Sequence, residues 1–171
     1  TGIQYCGVGG RGGGTLIVSC VRGDNKGIAR VDVVRRSGDV VRTIIDTNTL
    51  TQLSGPDYLC LWDNHVFVSD WDSHAVYKVD ISNGQVVDTL NHPQMKSPHQ
   101  VTVDRSGHVY IASANGHCVL VRSAGGQWRE LVNASQHSVQ GYDLPQGVCV
   151  TSSGRLLVAW CSVGSSPCNS V

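Results

Sequence analysis

Charge is scarce in this 171-residue chain. Only 15% of its residues are Asp, Glu, Lys or Arg, and thirteen basic side chains balance thirteen acidic ones. Neutrality speaks against a dedicated duplex-DNA binder, because neutralising phosphates leaves a basic footprint. Aromatic residues are few, at 6%, which leaves the core to Val, Ile and Leu. No apolar run approaches the roughly 18–20 residues that span a bilayer. The opening TGIQYCGVGG has neither a charged start nor an apolar stretch, so no signal peptide is expected. A G-x-S-x-G elbow, an H-E-x-x-H pair and a Lys-bearing phosphate loop are all missing, which removes the hydrolase and nucleotide chemistries that depend on them. Helical 3.6 periodicity is missing as well.

What is present is a 40% hydrophobic chain, too apolar and too weakly charged for a disordered segment and of a length that suits one domain. Three stretches repeat: PDYLCLWDNHVFVSDWDSHAVYKVD from Pro56, PHQVTVDRSGHVYIASANGHCVLVRS from Pro98, and PQGVCVTSSGRLLVAW from Pro145, with the prolines 42 and 47 residues apart. Each runs Pro, a short variable stretch, an apolar-x-apolar strand, a tight turn and a second apolar strand. Val66-Phe67-Val68, Val109-Tyr110-Ile111 and Leu156-Leu157-Val158 share one slot, and Leu16-Ile17-Val18 is an earlier copy. AVYKVD, CVLVRS and IARVDVV supply a third strand; GDVVRTI, GQVVDTL and GQWRELV supply a fourth, each opened by a turn glycine. Four short β-branched strands in about 40–45 residues make one blade of a β-propeller.

The expected fold is therefore all-β. Blades of four antiparallel strands cover about residues 2–46, 56–92 and 98–133, and a fourth, incomplete blade covers 145–171. Blade one carries an insertion-like GVGGRGGG, read as a Gly-rich linker between its first two strands. Three and a half blades fall short of the 4–8 that close a ring, and an open arc leaves faces and edges unpaired. The remaining blades of a larger ring, or self-association, are expected to complete it.

SPHQVTVDRSGHVYIASANGHCVLV resembles an NHL repeat, with its Pro-x-x-V-x-V-D…G-x-V-Y-V-A pattern. GPDYLCLWDNHVFVSDWDSHAVYKVD is similar, including the Asp after the second strand at Asp70, which becomes Ser113, Trp160 and Cys20 in the other copies. The resemblance implies a six-bladed propeller like the C-terminal part of invertebrate TRIM-NHL-type proteins. There the blades serve as the target-recognition end of a ubiquitin ligase whose chemistry resides in a RING domain. VFVSDWDSHAVYKVD is also similar to the YWTD repeats of lipoprotein-receptor ectodomains, but the other copies lack that tetrapeptide.

Seven cysteines cannot all pair within one chain. Cys60 and Cys149 hold one slot of the first strand, with Thr102 there in blade three and Cys6 in blade one; side chains at matched slots point the same way, so these thiols are expected between blades. Cys161 and Cys168 lack C-x-x-C spacing, so no metal is expected. Reduced thiols fit a cytoplasmic protein. A lactonase-like metal-dependent hydrolase would need oxygen ligands from several blades, but the slots that match the candidates Asp63, Asp70 and Asp104 in the other repeats include Trp62, Thr151, Ser113 and Trp160. No catalytic residue and no cofactor is expected. Arg22-Gly23-Asp24 reads as the lead-in to a hairpin turn, and Asn133-Ala134-Ser135 fits a glycosylation sequon that matters only in a secreted chain.

Recognition is the remaining role. Loops after the second strand and connections between blades share one rim of a propeller. This sequence places Arg22, Lys26, Trp71, His74, Lys96, His99 and His117 on it as candidate partner-binding residues, with Asp70, Asp72, His92 and Asn115 nearby. Trp beside Arg or His is hot-spot composition for a peptide or an unstacked base. A protein partner is expected; single-stranded RNA is the alternative, weakened because carboxylates accompany the cationic side chains there and the whole chain is neutral.

Overall fold

The computed structural model describes residues 3–11, 14–22, 29–137 and 142–162. They form a partial β-propeller: three four-stranded antiparallel blades and one two-stranded sheet. Blade one comprises β1 (Ile3–Arg11), β2 (Thr15–Arg22), β3 (Arg30–Arg35) and β4 (Val40–Asp46). Blade two comprises β5 (Pro56–Trp62), β6 (His65–Asp70), β7 (Ala75–Asp80) and β8 (Val86–Leu90). Blade three comprises β9 (Pro98–Val103), β10 (Val109–Ser113), β11 (Cys118–Arg122) and β12 (Trp128–Asn133). After the short helix α1 (Ala134–His137), blade four holds β13 (Tyr142–Val150) and β14 (Leu156–Ser162). Within each sheet the strands follow chain order, and the first strands of successive blades lie side by side: β1 against β5, β5 against β9, β9 against β13. That adjacency makes the first strand the inner one of a radial stack.

Strands with both faces covered read as continuous apolar runs. Val66-Phe67-Val68 shows why. Val66 and Val68 face blade one, meeting Ile17, Val31, Val33 and Ile45, whereas Phe67 faces blade three with Val101, Val109, Ile111 and Leu120. Blade three in turn meets Val148 through Ala112 and Val119. Polar ties fasten the outer strands across the same junctions. The Arg42 guanidinium donates to Ile81 O, Arg122 pairs with Asp88 at 2.9 Å, and Gln94 donates to Glu130.

The structure corrects three details. The stretch Gly7–Arg11 is not a linker but the second half of β1, in register with β2 from Gly7↔Ser19 to Arg11↔Thr15. Glycine is needed at its start because a Cβ at Gly7 would overlap Asp57 O of the next blade. Blade four begins at Tyr142, three residues before Pro145, with register shifts on either side of the proline. The third detail is α1, capped by Asn133, whose Oδ1 accepts the Ser135 N–H at 2.9 Å and the Ser135 hydroxyl at 2.6 Å. Lys26, the Arg22 side chain, the Gly23-Asp24 pair, Cys6 and Cys168 lie outside the described residues or side chains. No helix of the described residues is long and apolar enough to cross a membrane.

Candidate functional site: the upper rim

Strand register decides which loops share a rim. Pro56 pairs with Asp70, Pro98 with Ser113 and Pro145 with Trp160. The start of each inner strand therefore lies beside the end of its second strand. The turns 71–74 and 114–117 and the connections 47–55 and 91–97 accordingly lie on one side, the upper rim, whereas the turns 63–64, 104–108 and 151–155 lie on the other.

Asp70 organises the rim in blade two. Its carboxylate is fully buried and accepts the N–H groups of Ser54 (2.7 Å), Gly55 (3.0 Å), Asp72 (3.2 Å) and Ser73 (3.0 Å), together with the Ser54 hydroxyl at 3.2 Å. One charged group thus binds the incoming connection to the outgoing turn. Tyr77 reinforces the tie through Ser73 Oγ and Gln52 O. Burial pushes its phenol up, opposed by the Ser73 bond and aided by the Asp70 charge. In blade three Ser113 does the same with a hydroxyl, accepting the Lys96 N–H (2.8 Å) and donating to Gln94 O (2.7 Å).

Trp71 follows Asp70. Its N–H donates to Gly55 O at 3.1 Å, and its indole lies against Gly55 so closely that any Cβ there would collide with the ring. The opposite face is open, leaving Trp71 49% exposed. His74 and His117 close the matched turns with φ of 56° and 54°, a left-handed conformation in which His is enriched. Each reaches the next blade's entry, but with opposite proton placement. His74 Nδ1 accepts the Ser97 N–H at 3.0 Å, so the proton sits on Nε2 and the 3.1 Å approach of Trp71 O to Nδ1 is a contact rather than a bond. His117 Nδ1 faces Asp143 O at 3.1 Å and Asp143 Oδ2 at 3.5 Å, both acceptors, so this nitrogen carries the proton. Both Nε2 atoms remain for a ligand.

Lys96 is exposed beside Asn115, whose N–H donates to Lys96 O at 3.1 Å. His99 sits further in, on β9, with Nδ1 3.2 Å from Asp57 Oδ2 and its ring 6.1 Å from Tyr58. The rim thus brings Trp71, His74, Lys96 and His117 together, with His99 towards the axis. β2 carries the Arg22 backbone to the same end of blade one. His92 packs instead against Trp128, ring centroids 5.3 Å apart. Sequence reasoning passed over Asp57, Tyr58, Ser97 and Asp143. The matched dipeptides Pro56-Asp57, Pro98-His99 and Pro145-Gln146 were the signal that polar residues recur at the inner-strand entries.

The carboxylates weighed for a metal do not converge. Asp70 is consumed by backbone donors on the upper rim, whereas Asp63 and Asp104 lie in turns of the opposite side. Among the described residues no three His, Cys, Asp or Glu side chains form a metal-sized group.

Similar folds recur among solved structures. A streptogramin B lyase matches with a TM-score of 0.66 at 15% identity, over 90% of this chain and 47% of its own. The WD40 propeller domain of Doa1 matches at 0.65 and 14% identity, over 87% and 44%. A nidogen/laminin complex matches at 0.56 and 16% identity, over 72% and 44%. At such identities the likeness is one of fold. The chain spans about half the length of the first of these structures. No protein-family model matches the chain, and no curated protein matches it.

Proposed function

We propose that this chain is a non-catalytic docking platform that holds a protein partner on its upper rim. In this reading it is an NHL-type module, the target-recognition end of a TRIM-type ubiquitin ligase acting in the cytoplasm, with any ligase chemistry supplied by a RING domain outside these residues. The observation that carries it is the half-exposed Trp71 indole, lying on Gly55 in a rim already fixed by Asp70, Ser113, His74 and His117. An aromatic anchor on loops that need no further ordering gives contact area at low entropic cost. Cys20, Cys60, Cys118 and Cys149 are free thiols, in keeping with a reducing compartment. A protein ligand suits this rim better than RNA, since among its described residues exposed Lys96 is offset by the carboxylates of Asp57, Asp72 and Asp143.

Trp71→Ala and His117→Ala test the assignment in partner pull-down, alongside Val87→Ala on the outer strand β8. The rim variants are expected to abolish capture with the thermal midpoint within a few degrees of wild type, and Val87→Ala to retain it. Undiminished capture by both rim variants would remove the assignment. Binding to single-stranded RNA that weakens steeply with salt would replace it by the nucleic-acid reading.

A further inference from the structure

The chain is neutral, but its arginines are unevenly matched. Arg30 pairs with Asp32, Arg122 pairs with Asp88, and the Arg42 guanidinium donates to Ile81 O. Arg105, Arg129 and Arg155 are exposed, and none has a carboxylate partner among the described residues. All three belong to the side opposite the upper rim. Arg105 lies in the turn 104–108, Arg155 ends the turn 151–155, and Arg129 enters β12 one pair beyond Arg122↔Trp128. Between those two turns is a cleft of about 160 Å³, walled by Asp104, Arg105 and Ser106 of blade three and by Thr151, Ser152 and Gly154 of blade four. The two blades pack on each other through Ala112, Val119 and Val148. Each turn is fixed by a glycine at positive φ, Gly107 at 81° and Gly154 at 78°, whose N–H donates to Asp104 O or Thr151 O. The Asp104 carboxylate is already satisfied: Oδ1 accepts the Ser106 and His108 N–H groups, and Oδ2 accepts the His108 ring and the Tyr110 hydroxyl. The Arg105 guanidinium and the Ser106 and Ser152 hydroxyls remain, each without a protein partner among the described residues.

We propose that this cleft binds the phosphorylated Ser or Thr side chain of a peptide. A phosphoryl group brings nearly two negative charges and three strong acceptor oxygens. A guanidinium fork beside two free hydroxyls supplies the matching donors. Arg155, next to Gly154, and Arg129, at the same end of blade three, extend the positive field to acidic residues flanking the phosphorylated one. None of the exposed large apolar side chains belongs to either turn. A nucleic-acid base therefore finds no ring to stack on, and a bilayer finds no apolar anchor. The ligand is separate from the protein held on the upper rim, and the inference stands without that reading.

Fluorescence anisotropy tests it with a labelled Gly-Ala-phosphoSer-Ala-Gly peptide, its Ser and Glu counterparts and a labelled single-stranded oligonucleotide, with inorganic phosphate as competitor. The phosphopeptide is expected to bind with a Kd below about 1 mM, and both counterparts at least about tenfold more weakly. Arg105→Gln should weaken phosphopeptide binding at least about tenfold, and Ser152→Ala severalfold. Arg36→Gln, an equal loss of charge in the turn of blade one, should leave it within about twofold. All three positions are exposed, and urea midpoints verify that the variants fold. A phosphopeptide that does not bind at millimolar concentration overturns the proposal, as does equal binding of either counterpart. An undiminished Arg105→Gln complex, or equal losses from Arg36→Gln and Arg105→Gln, also overturns it. So does an oligonucleotide that binds more tightly at physiological salt, which marks a nucleic-acid surface, or inorganic phosphate that binds as tightly as the peptide, which marks a small-anion site.

Discussion

Replacing Asp70 by Ala removes the one acceptor shared by two loops of the upper rim. Four backbone N–H groups, of Ser54, Gly55, Asp72 and Ser73, lose their partner together with the Ser54 hydroxyl. Gly55 is buried, so its N–H cannot recover a water, at a cost of about 1–3 kcal/mol. Ser54 and Asp72 are exposed and are rehydrated in part, so the sum is about 3–4 kcal/mol rather than four full bonds. Asp70→Asn keeps a carbonyl for Gly55, Asp72 and Ser73, but turns an N–H₂ group towards the Ser54 N–H that Oδ2 now accepts. It should cost about half as much as Ala. Asp70→Ser, copying Ser113, should fall between them. Urea unfolding reads these losses. With a slope of about 2 kcal/mol/M, Asp70→Ala moves the midpoint down by roughly 1.5–2 M. Amide exchange should quicken first at Gly55 and Trp71. An Asp70→Ala midpoint within about 0.25 M of wild type, at unchanged slope, refutes the idea that a buried carboxylate holds the rim.

Further expectations follow from the other strands and turns. Burial, with the Asp32 charge beside it, pushes the Cys20 thiol up to about 12, and burial with Glu130 pushes Cys118 up to about 11. A thiolate reagent at neutral pH should therefore modify exposed Cys149 in the native chain and reach Cys20 and Cys118 only in urea, and peptide mapping that finds native Cys118 modified as fast as Cys149 would contradict it. Burial draws the Asp104 carboxyl upward, but bonds from the His108 N–H and ring, the Tyr110 hydroxyl and the Ser106 N–H outweigh it and hold the group below the usual carboxylate range. The stability it adds is complete above the unfolded value near ~4 and is lost as pH falls through the lower folded value. Asp104→Asn should thus flatten the acid limb of a stability–pH curve, and superimposable limbs would dismiss the assignment. Gly116→Ala would drive a Cβ into Gln94 O and Ser113 Oγ, and should cost about 1–3 kcal/mol in urea unfolding; a neutral effect would show that this turn can yield.

The periodic elements were legible because an apolar run such as Val66-Phe67-Val68 needs both faces covered, and only a stacked sheet provides that. Gly7–Arg11 was misread because glycine weakens a strand in isolation, whereas here Asp57 O of the next blade leaves room for nothing larger. Tyr142 joined β13 ahead of its proline through bulges that no local propensity announces. At the site, the shared rim followed from topology, whereas the half-open position of Trp71 on Gly55 did not, because a Trp in that turn could equally have packed beneath the neighbouring loop. The duties of His74 and His117 did not, because their partners Ser97 and Asp143 lie 23 and 26 residues away across a blade junction. Asp70 was visible as the residue after a second strand, but its upstream clients Ser54 and Gly55 carry no sequence mark of that bond.

The most direct measurement is hydrogen–deuterium exchange on the chain with and without its captured partner. Docking on the upper rim predicts slowed exchange at residues 54–55, 71–74, 94–99 and 114–117, with the turns 63–64, 104–108 and 151–155 of the far side unchanged. Protection confined to those far turns, or spread over the outer strands, would contradict it.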